Sequence, residues 1–189
     1  SMTGEKRFSP TPGGYRYASE LVEGIRKYQG SASYQRRLKG ENKAAEDSRY
    51  FCIGVGGYPE KHFEAANIET DIENLKKKID AGADYIITQM FFDNKVYYDF
   101  VDRCREAGIT VPIIPGLKPL STARQVNMLP ESFSLDIPLE LTSEIAKAGD
   151  DKAAVYRIGP EWCIMQCKAL IAHGVPAAHF YTMGRSKNI

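Results

Sequence analysis

The chain has 189 residues, enough for one sizeable core; it is 43% hydrophobic and 26% charged, ordinary values for a globular protein. Twenty-five Lys and Arg face 24 Asp and Glu for a formal charge of +1, so composition gives no ground for a nucleic-acid or anionic-membrane partner. No apolar run approaches the roughly 20 residues of a membrane span, and no signal-peptide pattern opens the chain, so a cytoplasmic protein is expected.

Residues 1–14 carry Pro and Gly at a density that forbids regular structure, and the leading Ser-Met resembles an expression scar. From Tyr17 the pattern Leu21, Val22, Ile25, Tyr28 predicts a helix that stops at Gly30. Residues 31–48 are polar, with a basic run at Arg36-Arg37-Leu38-Lys39, and read as a solvated excursion rather than an RNA-binding patch. Residues 49–58 form the first expected strand. Its Gly54-Val55-Gly56-Gly57 is not a dinucleotide fingerprint, because Pro59 stands where a third small residue is required; the glycines are expected to let a ligand or a neighbouring backbone come close.

A periodic helix follows, with Ile68, Ile72, Leu75 and Ile79 as its buried stripe and Gly82 as its stop. Asp71, Asn74 and Lys78 share another face, which periodicity alone leaves as solvated surface with an ion pair. The run Tyr85-Ile86-Ile87 lacks polar alternation and predicts a strand covered on both faces, with Thr88 and Gln89 at its C-terminal end, where parallel α/β folds bind ligands. Next come a helix over 95–107 burying Val96, Phe100, Val101 and Cys104, a strand over 109–117, and a helix capped by Ser121 that carries Arg124, Gln125 and Leu129. Pro138 starts another helix, and Asp150 caps a longer one burying Val155, Ile158, Trp162 and Cys163, which Gly159-Pro160 should kink or interrupt. A last apolar segment, 177–182, leads to Met183 and Arg185.

Cys52, Cys104, Cys163 and Cys167 lie among apolar neighbours and are expected to be buried reduced thiols. No second Cys or His pair at ligand spacing accompanies Cys163 and Cys167, so no metal is expected. Four alternations of strand and helix predict a parallel sheet, doubly wound or barrel-like; four strands are too few to close a barrel.

Four motifs in order, Tyr58-Pro59-Glu60-x-His62-x-Glu64-Ala65, then Ala81 to Asp93, then Ile114-Pro115-Gly116, then His179-Phe180-Tyr181-Thr182-x-x-Arg185, resemble the methylenetetrahydrofolate reductase family. The resemblance implies a flavoprotein (β/α)8 barrel of the TIM type that passes a hydride from NADH or NADPH through FAD to methylenetetrahydrofolate, in the service of methionine synthesis. It places Tyr17, Ala18, Tyr58, His62, Ala65, Asp71, Asn74 and Lys78 at flavin contacts, and Gln89, Gln125, Leu129 and Arg185 at the substrate site, with Gln89 reading the pterin from the sixth strand.

Phe63 and Gly184 depart from the family's usual proline and asparagine, and residues 31–48 resemble an insertion. The family's first four strands, with the glutamate that acts as general acid and an aspartate near the flavin, have no counterpart. Residues 15–189 are therefore expected to form an incomplete barrel, about strands 5 to 8, inactive alone and without a catalytic residue of its own. The alternative is a non-catalytic half-barrel that self-associates or pairs with an N-terminal partner; open sheet edges favour a homo-oligomer in either case.

Overall fold

The computed structural model describes residues 10–31, 34 and 51–182; the basic run at 36–39, Met183 and Arg185 lie outside them. Four strands, β1 (Gly54–Gly57), β2 (Tyr85–Met90), β3 (Ile113–Leu117) and β4 (His179–Phe180), form one sheet in the order β1-β2-β3-β4, every pair parallel. Parallel neighbours require crossovers. These are supplied by α2 (Ile68–Asp80) after β1 and α3 (Asn94–Glu106) after β2, while α4 (Gln125–Phe133), α5 (Leu139–Ala148) and α6 (Lys152–Ala172) lie between β3 and β4; α1 (Ala18–Gln29) precedes the sheet. Chain order and spatial order coincide, with no point where the strand order reverses.

The helix termini follow from local chemistry. Asn67 Oδ1 accepts from Thr70 N (2.8 Å) at the start of α2, Asp93 Oδ1 from Lys95 N (2.8 Å) at the start of α3, and Asp151 from Ala153 N and Ala154 N at the start of α6. The cap of α6 is thus Asp151, one residue beyond the expected Asp150. Gly82, at φ +113°, follows α2 and turns the chain into β2.

Two cores result. The larger packs Val55, Ile72, Leu75, Ile86, Phe100 and Leu117 between the sheet and the helices that cross it; the smaller sets Met90 and Phe92 against Leu120, Leu129, Leu141 and Val155. Phe91, Phe92 and Phe100 are fully buried, each contributing on the order of 2–3 kcal/mol relative to exposure.

Several expectations are corrected. On α1 the buried residues are Val22 and Gln29, while Leu21 and Tyr28 are exposed. The helix rotates because the Arg26 guanidinium turns inward, bonding the Gly82 carbonyl (2.6 Å), Asp84 Oδ2 (2.6 Å) and the Phe51 carbonyl (3.0 Å). β1 is shorter than 49–58, and the neighbours crowding its glycines are side chains: a Cβ at Gly54 would lie 2.4 Å from the Tyr85 ring, and one at Gly57 2.8 Å from Ile86. β2 is not covered on both faces. Ile86, Thr88 and Met90 are buried on the helix side, whereas Tyr85, Ile87 and Gln89 are only half-buried on the other.

On α3 the buried residues are Tyr97, Phe100 and Cys104, while the expected Val96 and Val101 are only half-buried; the Tyr97 phenol is drawn in by the Ile113 carbonyl (2.8 Å). Ser121 is not the cap of α4, which starts at Gln125; instead Ser121 N donates to Gln125 Oε1 (2.7 Å). Gly159-Pro160 does not interrupt α6. Gly159 lies on the buried line Val155, Gly159, Cys163, Gln166, Leu170, pressed against the Leu120 backbone, and the helix runs through 21 residues. Cys52 is exposed, unlike Cys104 and Cys163, whose burial raises both thiols to about 12. No described helix is long and apolar enough to cross a membrane.

Candidate functional site

The C-terminal end of the sheet gathers the residues with chemistry to offer. β1 runs into the segment Tyr58 to Asn67, which folds on itself: Lys61 N donates to the Tyr58 carbonyl (3.0 Å), and Ala65 N to the His62 carbonyl (3.0 Å). Lys61 occupies the left-handed region at φ +77°, and its ammonium closes the loop onto the carbonyls of His62 (3.2 Å) and Ala65 (2.8 Å). A non-glycine residue in that region is held by its surroundings. The rings of Tyr58 and His62 meet edge to face at 4.5 Å, with Phe63 4.6 Å beyond.

Helix α2 fixes this loop from below. Asp71, buried in the first turn of α2, accepts a hydrogen bond from His62 N (2.8 Å). About two turns further along, Lys78 Nζ donates to the Gly56 carbonyl (2.9 Å) and lies 5.8 Å from the centre of the Tyr58 ring. Burial lowers the Lys78 pKa and Asp71 pulls it back up; burial also raises Tyr58, with Asp71 and Glu64 adding to the rise. Asn74, on the same face, is exposed and accepts from Lys77 Nζ (2.9 Å). The face that periodicity alone would leave in solvent therefore carries a buried carboxylate and a half-buried cation joined through one loop.

On β2, Gln89 is half-buried on the open face, and its Oε1 accepts from Met90 N (3.0 Å). Tyr181 reaches across from beyond β4 to donate its phenol to the Thr88 carbonyl (2.9 Å), next to Gln89. Gln125 turns toward its own loop, its Oε1 shared by Ser121 and Thr122 N. Leu129 is fully buried in the smaller core. Tyr17, the N-cap of α1, is exposed, and no hydrogen bond or ring contact among the described residues joins it or Ala18 to the Tyr58 loop.

Sequence reasoning assigned no role to Glu60, whose Oε1 accepts from Asp136 N (2.8 Å) and whose burial, with Asp136 and Asp93 nearby, raises its pKa to about 7. It marked Thr88 and Tyr181 only by their place, at a strand end and in the last motif, without a role of their own; the signal for Thr88 is a hydroxyl on a strand of apolar neighbours.

A cation backed by an aromatic ring and a buried carboxylate that stiffens the loop beside it suit a ligand with an anionic group and a flat ring system. Gly56, exposed below them, has only the Tyr58 phenol near the place a Cβ would take. A parallel α/β sheet that gathers polar and aromatic side chains beyond the C-terminal ends of its strands is the class these features define. The sequence model of the methylenetetrahydrofolate reductase family matches residues 1–189, and the chain belongs to that family. It is 34% identical over 194 residues to methylenetetrahydrofolate reductase (NADH) 1 of Arabidopsis thaliana, covering 98% of this chain and 30% of the relative. It is 39% identical over 137 residues to 5,10-methylenetetrahydrofolate reductase of Escherichia coli K12, covering 72% and 46%. The chain thus spans between 30% and 46% of the length of these relatives. Among solved structures, a Clostridium thermocellum protein that binds two copies of 5-methyl-5,6,7,8-tetrahydrofolic acid shares the fold, with a TM-score of 0.50 at 16% identity over 94% of this chain and 57% of that one.

Proposed function

We propose that this chain forms the cofactor and folate walls of an enzyme that reduces methylenetetrahydrofolate to methyltetrahydrofolate, with NADH or NADPH as donor and FAD as the bound redox group. The observation that carries this reading is the convergence of Tyr58, His62, Asp71 and Lys78 beyond β1. The relatives support the donor pair, since the Arabidopsis protein is named for NADH and a Caenorhabditis elegans relative, 39% identical over 145 residues, for NADPH.

FAD, when bound, would supply the chemistry of hydride transfer between nicotinamide and folate. The residues of this chain bind and orient. The Lys78 ammonium neutralises diphosphate charge, Tyr58 and His62 wall the ring system, and Asp71 holds the His62 backbone so that the loop does not reorganise on binding. Asn74 and Ala65 border the same strip, and the family resemblance assigns Tyr17 and Ala18 to the cofactor from α1. Gln89 reads the pterin edge with an uncharged carboxamide, which can donate and accept without burying charge. The family resemblance also assigns Gln125, Leu129 and Arg185 to the folate; Gln125 must leave its bonds to Ser121 and Thr122 to reach it, and Leu129, buried in the smaller core, supports the site from behind.

Four parallel strands in sequential order make half the wall of an eight-stranded barrel, and this half is strands 5 to 8 of a larger catalytic unit. The test is reconstitution with FAD followed by NADH–menadione turnover and folate reduction. A yellow preparation without folate reduction by this chain alone is expected. Robust methyltetrahydrofolate formation would overturn the half-site reading, and a colourless preparation that takes up no flavin would overturn the cofactor assignment.

A second reading, a non-catalytic half-barrel that pairs with itself, is favoured by the open face, where Gly54 and Gly56 are exposed and Tyr85, Ile87 and Gln89 only half-covered. A dimer by light scattering that binds neither flavin nor folate would support it, and a monodisperse monomer would count against it.

A further inference from the structure

The register of β2 against β3 breaks at the residue that matters most to the folate reading. Ile87 pairs with Ile114, yet Met90 pairs with Gly116, so β2 spends two residues, Thr88 and Gln89, where β3 spends one. Such a bulge re-aims a side chain and frees backbone groups from the ladder. Continuing the pairing at Ile87–Ile114 would send Gly116 N to the Thr88 carbonyl. Instead Gly116 N donates to Thr88 Oγ1 (2.9 Å), and the Thr88 carbonyl accepts the Tyr181 hydroxyl (2.9 Å) from two strands away. The hydroxyl of one residue and the phenol of another replace the two groups that the bulge unpairs. The path of the phenol needs Gly116, since a Cβ there would lie 2.2 Å from the Thr88 carbonyl oxygen and 2.6 Å from the Tyr181 ring. Tyr181 is itself anchored at three points: its N donates to the Leu117 carbonyl (2.9 Å), its carbonyl accepts from Lys118 Nζ (3.3 Å), and its ring meets His179 at 4.7 Å.

We infer that Tyr181 is a positioning residue for Gln89: its hydroxyl holds the Thr88–Gln89 peptide in the bulged conformation and so sets the direction in which the Gln89 carboxamide points. The use of that direction to read a pterin rests on the function proposed above; the positioning itself does not. A hydroxyl donor to a buried carbonyl is expensive to lose, and the carbonyl left behind will turn to find another, rotating the Gln89 peptide with it.

The test uses the full chain and compares wild type, Tyr181→Phe, and Trp162→Phe as a control that removes a bond of the same length, 2.9 Å, to the Phe92 carbonyl on the same strand end. Amide exchange is read at Met90, whose N–H is held by Gln89 Oε1, and at Ile86, whose N–H bonds the Pro112 carbonyl within the regular ladder. The Gln89 carboxamide NMR signal is followed alongside. Tyr181→Phe should speed Met90 exchange about tenfold and shift the carboxamide signal, with Ile86 unchanged and neither effect in Trp162→Phe. Binding of 5-methyltetrahydrofolate should weaken about tenfold at unchanged flavin content. Unaltered Met90 exchange and carboxamide signal in Tyr181→Phe would overturn the inference, as would equal acceleration at Ile86. If the site-selective changes occur but wild type and Gln89→Ala bind the folate equally or not at all, the positioning stands and the folate reading fails.

Discussion

Lys78 Nζ reaches the Gly56 carbonyl at 2.9 Å, so the one half-buried cation among the proposed cofactor residues is held against the end of strand β1 rather than extended into solvent. Burial lowers its pKa, and an anion placed beside it would raise it again. If it serves a diphosphate, Lys78→Met should weaken FAD binding by about one to two orders of magnitude, in line with loss of a charged hydrogen bond. Flavin affinity should also fall as pH rises through the Lys78 pKa and the ammonium is lost, while the Lys78→Met chain shows no such fall. Fluorescence titration with FAD between neutral and alkaline pH measures both. For stability the sign is opposite. A depressed lysine penalises folding while protonated, and the penalty lifts as pH rises from the folded pKa toward the ordinary 10.5.

Asp71→Asn separates charge from geometry. The carboxylate accepts from His62 N, and an amide oxygen can do the same, so the loop should keep its fold with a stability loss of about 1 kcal/mol. The lysine loses the partner that raises its pKa, so the Lys78 titration should move further down in Asp71→Asn. An unchanged Lys78 pKa by NMR would show that the two residues do not communicate.

Glu60 gives a pH dependence with a defined window. Burial, with Asp136 and Asp93 adding, raises its pKa from 4.5 to about 7. A raised carboxyl costs nothing while protonated; the cost appears as pH rises past 4.5 and levels off above about 7. Glu60→Gln keeps an acceptor for Asp136 N and removes the charge. Because the group is only partly buried, solvent screening limits the gain at pH 8 to about 1 kcal/mol, roughly 2–4 °C in Tm. At pH 4.5 the two chains should melt together. A melting difference that is the same at both pH values would mean that charge is not the cause.

The elements themselves were legible because each has a strong local signature: the Ile72 and Leu75 stripe on α2, the apolar run of β2, the caps Asn67 and Asp93. The four-strand parallel order follows from their alternation. What sequence could not carry were contacts made across distance. Nothing local says that Arg26 turns into the core to meet Gly82, 56 residues away, which is why Leu21 and Tyr28 were expected inside and lie outside. The Asp71 to Lys78 strip shows the same limit from the other side, since its spacing reads as surface until the loop after β1 folds over it. The bulge at Thr88 and Gln89 needs the register of a strand 26 residues on.

Gly159 is the sharpest instance, and it yields the last prediction. By local rules Gly-Pro inside a helix is a break, yet α6 continues, because the missing Cβ is what lets the helix lie against Leu120. A Cβ at Gly159 would lie 1.9 Å from the Leu120 carbonyl oxygen and 2.6 Å from its carbon, both backbone atoms that cannot swing aside. Gly159→Ala therefore combines a gain in helix propensity of about 1 kcal/mol with an overlap that forces α6 away from the β3–α4 loop. The overlap should win, for a net loss of about 1–3 kcal/mol as in other overpacked cores. Because α6 also holds the end of β2 through Trp162 Nε1 to the Phe92 carbonyl (2.9 Å) and Gln166 Nε2 to the Phe91 carbonyl (3.2 Å), the displacement should loosen that segment as well. Urea denaturation measures the first effect and amide exchange at Phe91 to Asn94 the second. A Gly159→Ala chain as stable as wild type would mean that the helix and loop slide past the overlap, and that the glycine is not needed for their contact.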